Sequence, residues 1–225
     1  MSINVAIDGP AGAGKSTIAR MLAKELNYIY VDTGAMYRAM ALYMIEQKTD
    51  IQNLEAVRAA CRTISIDIQY SGGEQQVILN GRNVNGFIRT EAVSEMSSKI
   101  SAIPEVREKL LSLQRSLAAA SDVIMDGRDI GTHVLPNADV KIFLTADAHV
   151  RALRRYEEFI AKGVSCTLDK VEREVIERDE RDMNRAIAPL KQAEDAVRVD
   201  TSAMTIEEVV AHLKSLIGQK AQEQA

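Results

Sequence analysis

Cysteine is scarce in this chain, and the two that occur, Cys61 and Cys166, stand far apart with no CxxC pair and no Cys/His spacing of the kind that holds a metal. That excludes a disulfide framework and a structural zinc site, and leaves two reduced, structural thiols. His133, His149 and His212 are equally scattered and read as surface or packing residues. A basic excess is missing too. The 28 Lys and Arg against 32 Asp and Glu give a net charge of −4, the wrong sign for a protein held to a nucleic-acid backbone. No apolar run approaches the ~20 residues that span a bilayer, and the first residues lack a basic, then long apolar, leader pattern. A cytoplasmic protein with no membrane and no nucleic-acid partner is therefore expected. No linker interrupts the 225 residues, which suffice for a full core, so one α/β domain with inserts is expected, not two independent domains.

Against these absences stands one stretch, Gly9-Pro10-Ala11-Gly12-Ala13-Gly14-Lys15-Ser16-Thr17, which fits the pattern Gly, four residues, Gly-Lys-Ser/Thr. Ile3, Val5, Ala6 and Ile7 before it form an apolar run that reads as a buried strand; Ile18, Ala19, Leu22, Ala23 and Leu26 behind it recur at helical spacing. In the order strand, loop, helix, the glycines let several backbone N–H groups face one point and the helix N-terminus adds its positive dipole end. A polyphosphate fits such a nest, with Lys15 reaching the outer phosphates and Ser16 holding Mg²⁺. A glycine-rich turn that binds nothing would not need this context.

Tyr28-Ile29-Tyr30-Val31 reads as the next strand and ends at Asp32-Thr33-Gly34. A helix over about 33–47 follows, with Asp32 or Thr33 as N-cap, and its methionine stripe is ordinary core. Tyr37 and Arg38 sit near its start, at the carboxyl end of a strand, where open parallel sheets place ligands. An arginine there disfavours the helix dipole and points to a nearby anion. After a helix over about 54–63 the period changes. Ile64, Ile66 and Ile68 alternate with polar residues, Ser71-Gly72-Gly73-Glu74 turns, and Asn80-Gly81 is a two-residue hairpin signal. Two hairpins in succession make a small antiparallel meander within a βα-alternating chain, and inserts over the carboxyl edge of a sheet commonly carry substrate contacts.

Helices are expected over about 90–101 and 104–120, with Pro104 at N1. By periodicity Ser98, Lys99 and Arg107 on them are solvated face. Val123-Ile124-Met125 then runs into Asp126-Gly127-Arg128-Asp129. An apolar strand that ends in Asp, in a chain with the phosphate-loop pattern, is a Walker B candidate, so Asp126 is expected to hold Mg²⁺ directly or through water. Val140–Leu144 is another strand, followed by a helix over about 148–162. The charged run 172–185 reads as a helix whose pattern alone suits an exposed face. Yet Arg178, Arg181 and Arg185 recur at spacings three and four and share one stripe, which suits a mobile arm closing over phosphates. A last strand over 196–200 precedes a helix over about 205–216, with Thr205 and Glu208 forming a capping box.

Assembled, the sequence resembles the bacterial cytidylate kinases, in the nucleoside monophosphate kinase branch of P-loop proteins. The resemblance covers Ile3 to Asp200. Its most specific pieces are Asp32-Thr33-Gly34-Ala35-Met36-Tyr37-Arg38, Asp126-Gly127-Arg128-Asp129-Ile130-Gly131-Thr132, and Arg178 through Arg185 with Ala188-Pro189-Leu190. It implies an α/β fold with a parallel sheet core flanked by helices, an antiparallel β insert over 62–105 as a monophosphate-binding subdomain, and a helical LID over 152–188. It implies transfer of the γ-phosphoryl of Mg-ATP to CMP or dCMP by a monomer. By that similarity residues 9–17 hold ATP, and Ser16 and Asp126 the metal. Thr33, Arg38, Arg128 and Arg185 hold the acceptor phosphate, Ser98, Arg107 and Asp129 read cytosine, Arg178 and Asp182 contact the sugar, and Tyr37 is among the substrate-binding residues. Lys15, Arg128, Arg178, Arg181 and Arg185 serve the transferring group. Thr33 stands where the family often shows Ser, and both offer a hydroxyl.

The residues support that chemistry on their own terms. A nucleoside monophosphate is already an anion at neutral pH, since its second pKa is about 6, and needs no general base. What two meeting polyanions need is charge compensation, which lysine, metal and arginines supply by position, with closure excluding water. Kinases of the same fold for UMP, AMP or shikimate differ only in the acceptor pocket. A guanine-reading switch is disfavoured, because no Asn/Thr-Lys-x-Asp tetrapeptide occurs and a switch has no use for an arginine stripe.

Overall fold

The computed structural model describes residues 2–161 and 163–223. Its main sheet has five strands: β1 (Asn4–Asp8), β2 (Ile29–Asp32), β6 (Val123–Asp126), β7 (Val140–Thr145) and β8 (Val197–Asp200). All pair in parallel, in the order β2-β6-β1-β7-β8. Parallel neighbours need crossovers, which the helices supply: α1 (Lys15–Leu26), α2 (Thr33–Glu46), α3 (Leu54–Thr63), α4 (Glu91–Ile100), α5 (Pro104–Ala120), α6 (Ala148–Ala161), α7 (Leu168–Asn184) and α8 (Ile206–Glu223). β1, β2, β6 and β7 are buried on both faces, as their near-continuous apolar runs require, while the edge strand β8 buries only Val199.

Two cores result. On one face Val5, Ile7, Ile124 and Ile142 pack under Ile18 and Leu22 of α1 and Leu213 and Ile217 of α8. On the other, Ala6, Val31 and Met125 meet the Met36–Met40–Met44 stripe of α2 and Val106 and Leu110 of α5. The inserted sheet, β3 (Ile66–Ser71), β4 (Glu74–Leu79) and β5 (Arg82–Asn83), is antiparallel in the order β3-β4-β5. Its Ile68, Val77 and Leu79 extend that second core without a break. The Asn80-Gly81 turn has φ of 47° and 80°, the left-handed pair that a two-residue hairpin demands.

The insert also covers an edge. β2 ends the main sheet, and its free side would expose backbone groups. Gln75 of β4 accepts from Asp32 N at 2.8 Å and donates to Asp32 O at 3.2 Å, while the Tyr70 hydroxyl donates to Tyr30 O at 3.1 Å. One amide side chain thus imitates a neighbouring strand and ties the insert to the carboxyl end of β2.

Several bounds differ from the sequence reading. α7 starts at Leu168, ahead of Glu172, because Thr167 caps Lys170 N and Val171 and Val175 bury against Ala152 of α6 in a small core of their own. α6 is described to Ala161, and Lys162, the expected end, lies outside the described residues. α8 passes Leu216 because Ile217 is still needed in the core. The capping box forms in both directions: Thr205 N to Glu208 at 2.8 Å, and Glu208 N to Thr205 at 3.2 Å. A π-helical turn, Ile130–Val134, has no counterpart in the reading. No helix among the described residues is long and apolar enough to cross a membrane.

Candidate active site

The carboxyl ends of the strands open into a cleft of about 780 Å³, within the range of small-molecule sites. Its floor is the loop between β1 and α1. Gly9 passes so close to β7 that a Cβ there would stand 1.9 Å from Leu144 O. Gly12 and Gly14 take φ of 76° and 84°, which turn the chain into the helix that starts at Lys15. The loop is held from behind: Asp179 of α7 accepts from Ala11 N at 3.1 Å, and Arg151 of α6 donates to Ala11 O at 2.9 Å. Lys15 Nζ donates to Pro10 O at 2.6 Å, and burial, with Arg128 nearby, pulls its pKa well below the usual lysine range.

Beside the loop, Ser16 Oγ donates to Asp126 Oδ2 at 2.7 Å and Tyr30 Oη to Oδ1 at 3.1 Å. Burial, reinforced by Asp32, raises the Asp126 carboxyl to about 6. Asp8, at the end of β1, accepts from Ile130 N at 2.8 Å and Gly131 N at 2.7 Å, so it sets the π-helical turn that follows Arg128 and Asp129. Burial lifts its carboxyl to about 6 despite those bonds. A buried carboxylate next to a hydroxyl offers the oxygen donors a hard cation takes while it retains several waters, so Ser16 and Asp126 fit Mg²⁺. Among the described residues no group of three His, Cys, Asp or Glu gathers into any other metal site.

The opposite wall is rich in arginine. Asp32 caps α2 through Ala35 N at 2.8 Å and holds Arg38 at 2.9 Å, with Arg89 at 3.8 Å. The Thr33 hydroxyl donates to Asp126 O at 2.7 Å. Arg128 Nε donates to Asp182 at 2.9 Å, and Arg185 to Asp129 at 2.8 Å. Arg107 pairs with the other oxygen of Asp129, reaches Ser101 O at 3.2 Å and lies over the Tyr37 ring. Burial raises the Tyr37 hydroxyl to about 12, which keeps it a neutral donor. Burial would lift Asp182, but Arg128 and Arg178 outweigh it and hold the carboxyl below its usual range. Burial and Arg128 lower Arg178 to about 10. Arg38 Nε, Ser98 Oγ and Arg178 Nε are buried at this wall without a hydrogen-bond partner, which is how a surface shaped for polar ligand atoms looks without them.

The cleft therefore brings together Lys15, Ser16, Thr17, Thr33, Tyr37, Arg38, Ser98, Asp126, Arg128, Asp129, Arg178, Asp182 and Arg185. Four expected residues do not line the cleft: Gly9 and Pro10, which enter the loop beneath it, and Arg107 and Arg181. Arg181 is exposed and outside the cleft, donating to Glu177 O of its own helix at 3.3 Å. The cleft side of α7 falls at 178 and 182, because four residues make just over a full turn while 181 stops well short of one, and Arg185 reaches the cleft from the extended C-cap. Arg107 is buried behind Asp129 and does not line the cleft. Asp8, Tyr30, Arg89, Arg151 and Asp179 were missed, as were Arg154 and Arg155, which line the far end with Arg20 and Met204. Asp8 carried a signal: it closes its strand as Asp32 and Asp126 close theirs.

A glycine-rich loop between the first strand and the first helix of a parallel sheet, with an aspartate ending the adjacent strand, defines a P-loop kinase fold. A gluconokinase from Sinorhizobium meliloti 1021 shares that fold, with a TM-score of 0.51 at 14% identity over 99% of this chain and 95% of that one. The family model for cytidylate kinase matches residues 5–219. A cytidylate kinase of Carboxydothermus hydrogenoformans is 50% identical over 97% of this chain and 98% of its own length, and one of Bacillus cytotoxicus is 46% identical over 98% of both. The chain belongs to the cytidylate kinase family.

Proposed function

We propose that this protein transfers the γ-phosphoryl group of Mg-ATP to CMP or dCMP, giving ADP and CDP or dCDP. The observation that carries the reading is a single cleft with the phosphate loop on its floor and Arg38, Arg128 and Arg185 on the facing wall, an arrangement that brings two polyanions together and does little else well. Residues 9–17 bind the donor triphosphate through backbone N–H groups. Lys15 leaves Pro10 O for the outer phosphates, a short swing for a terminal amine. Ser16 and Asp126 would hold a magnesium ion, which would supply charge compensation for the phosphates. Arg38, Arg128 and Arg185, with Thr33 and Tyr37, take the acceptor phosphate. For Arg38 this means exchanging the Asp32 carboxylate for a phosphate, one bidentate anion for another.

Asp129 reads the base. Its carboxylate is fixed by Arg107 and Arg185, so it faces a base as an acceptor. Cytosine presents an exocyclic amine to it, with Ser98 serving a ring acceptor and Arg107 acting from behind through Asp129; uracil presents a carbonyl and is repelled. Arg178 and Asp182 contact the sugar. Residues 62–105 act as the monophosphate-binding subdomain and 152–188 as a LID, which keeps water from the transferring group. The protein works as a monomer.

The test is ADP release from Mg-ATP with CMP, dCMP, UMP, AMP, GMP or shikimate, against a blank without acceptor. Fastest turnover on CMP and dCMP is expected. Fastest turnover on another acceptor refutes the account of Asp129, and ADP release in the blank alone refutes the kinase.

A further inference from the structure

We infer that the buried Arg151–Asp179 pair is a positioning unit that couples donor binding to acceptor binding through helix α7. Ala11 is the residue it grips. Asp179 Oδ1 accepts from Ala11 N at 3.1 Å, Arg151 Nη1 donates to Ala11 O at 2.9 Å, and the two side chains meet at 2.5 Å. Both polar groups of one loop residue are thus spent on α6 and α7, which leaves the amides after it for phosphate. Arg151 is further fixed by Ala146 O at 2.8 Å. Each member of the pair is only 6% exposed, so neither charge has water to fall back on and the pair holds only while both partners stay in place.

Less than two turns further along α7, Asp182 takes Arg128 and Arg185 takes Asp129. One helix and its C-cap residue therefore hold the donor loop at residue 179 and the acceptor wall at 182 and 185. α6 and α7 share their own small core of Ala152, Val171 and Val175, so they shift as a unit, and Ala11 follows. A nucleotide that fixes either end of α7 lowers the cost of fixing the other, and linkage makes the effect reciprocal. The coupling lies in a continuous chain of contacts, with Asp179 as its donor-side end.

The inference rests on the kinase reading, so CMP turnover by the unaltered enzyme is measured first; its absence overturns that reading and this one together. Next comes the dissociation constant of a nonhydrolysable Mg-ATP analogue, with and without saturating CMP. In the unaltered enzyme CMP is expected to tighten the analogue at least about fivefold. In Asp179→Ala the factor falls to about one, with melting confirming the fold. In Asp179→Asn, which still accepts from Ala11 N, and in Arg151→Lys, an intermediate factor returns, and these two carry the test if the alanine variant does not fold. A merely structural pair would lower the melting temperature of all three and leave the factor unchanged. That result, or a factor of one in the unaltered enzyme, overturns the inference while the kinase reading stands.

Discussion

The hydroxyl of Tyr30 lies 3.1 Å from Oδ1 of Asp126 and donates to it, so the strand-end carboxylate is held on one oxygen by β2 and on the other by Ser16. Burial pushes the Tyr30 pKa far above its usual range, which makes it a permanent donor. Tyr30→Phe keeps the ring, which lies under Arg20 at 5.7 Å, and frees the carboxylate to rotate. The loss of one hydrogen bond costs about 1 kcal/mol of stability. The Mg²⁺ concentration for half-maximal turnover is expected to rise severalfold, read by a metal titration at saturating nucleotides. An unchanged metal requirement would show that Ser16 alone orients Asp126.

Asp126 also sets a pH dependence. Its carboxyl rises from 3.8 to about 6 on folding, so the native state binds this proton more tightly than the unfolded chain does. The stabilisation is full below 3.8 and is lost as pH rises through 6. Above that the ligand-free protein carries a buried charge at a cost of up to about 3 kcal/mol. Asp126→Asn removes the charge and can still accept from Tyr30. Denaturant melts at about pH 7.5 should find the inactive variant more stable than the parent, with the gap shrinking at about pH 5. A gap that is constant across this range would mean that Asp126 keeps an ordinary acidity.

Gly127 is required by space. A Cβ on Gly127 would stand 2.6 Å from Ile130 Cδ1 and 3.0 Å from Thr33 Oγ1, and Ile130 is fully buried. Gly127→Ala is expected to cost about 1–3 kcal/mol, as overpacking does, and to raise KM for CMP more than for ATP, because Thr33 sits on the acceptor side. Gly86→Ala meets nothing within 4 Å and serves as the control. Melting curves and the two KM values decide; equal behaviour of the two variants would refute the packing argument.

Most of the fold was legible because apolar period and strand-end polarity agree at every step. The phosphate loop, the Asn80-Gly81 hairpin and the Thr205–Glu208 box are local signals with a physical cause within four residues, and each stands where it was read. The Arg151–Asp179 pair was not legible, since its partner Ala11 lies far away in sequence and a charged residue in a charged helix looks solvated until that helix is docked. The π-helical turn was hidden for the same reason: it depends on Asp8, brought to Ile130 N by the sheet. Arg107 read as a solvated face by period, and only the resemblance gave it a role at the base; in the structure it is buried and pairs with Asp129.

Arg185 and Arg181 make the sharpest comparison, because they carry the same charge one turn apart, Arg181 in the last turn of α7 and Arg185 at its extended C-cap. Arg185 is buried at its guanidinium, bonded to Asp129 and to Ala188 O at 2.6 Å, and lines the cleft. Arg181 is exposed and donates to Glu177 O of its own helix at 3.3 Å. If the arginines act by compensating charge where it develops, Arg185→Ala should lower turnover about 100-fold or more, as loss of one such donor does elsewhere, and Arg38→Ala should do the same. Arg181→Ala should stay within about threefold of the parent. Turnover with Mg-ATP and CMP, at matched folding by circular dichroism, checks all three. A large loss in Arg181→Ala would mean that α7 rotates by a full residue step when nucleotides bind, and near-parent activity in Arg185→Ala would remove it from the phosphate clamp.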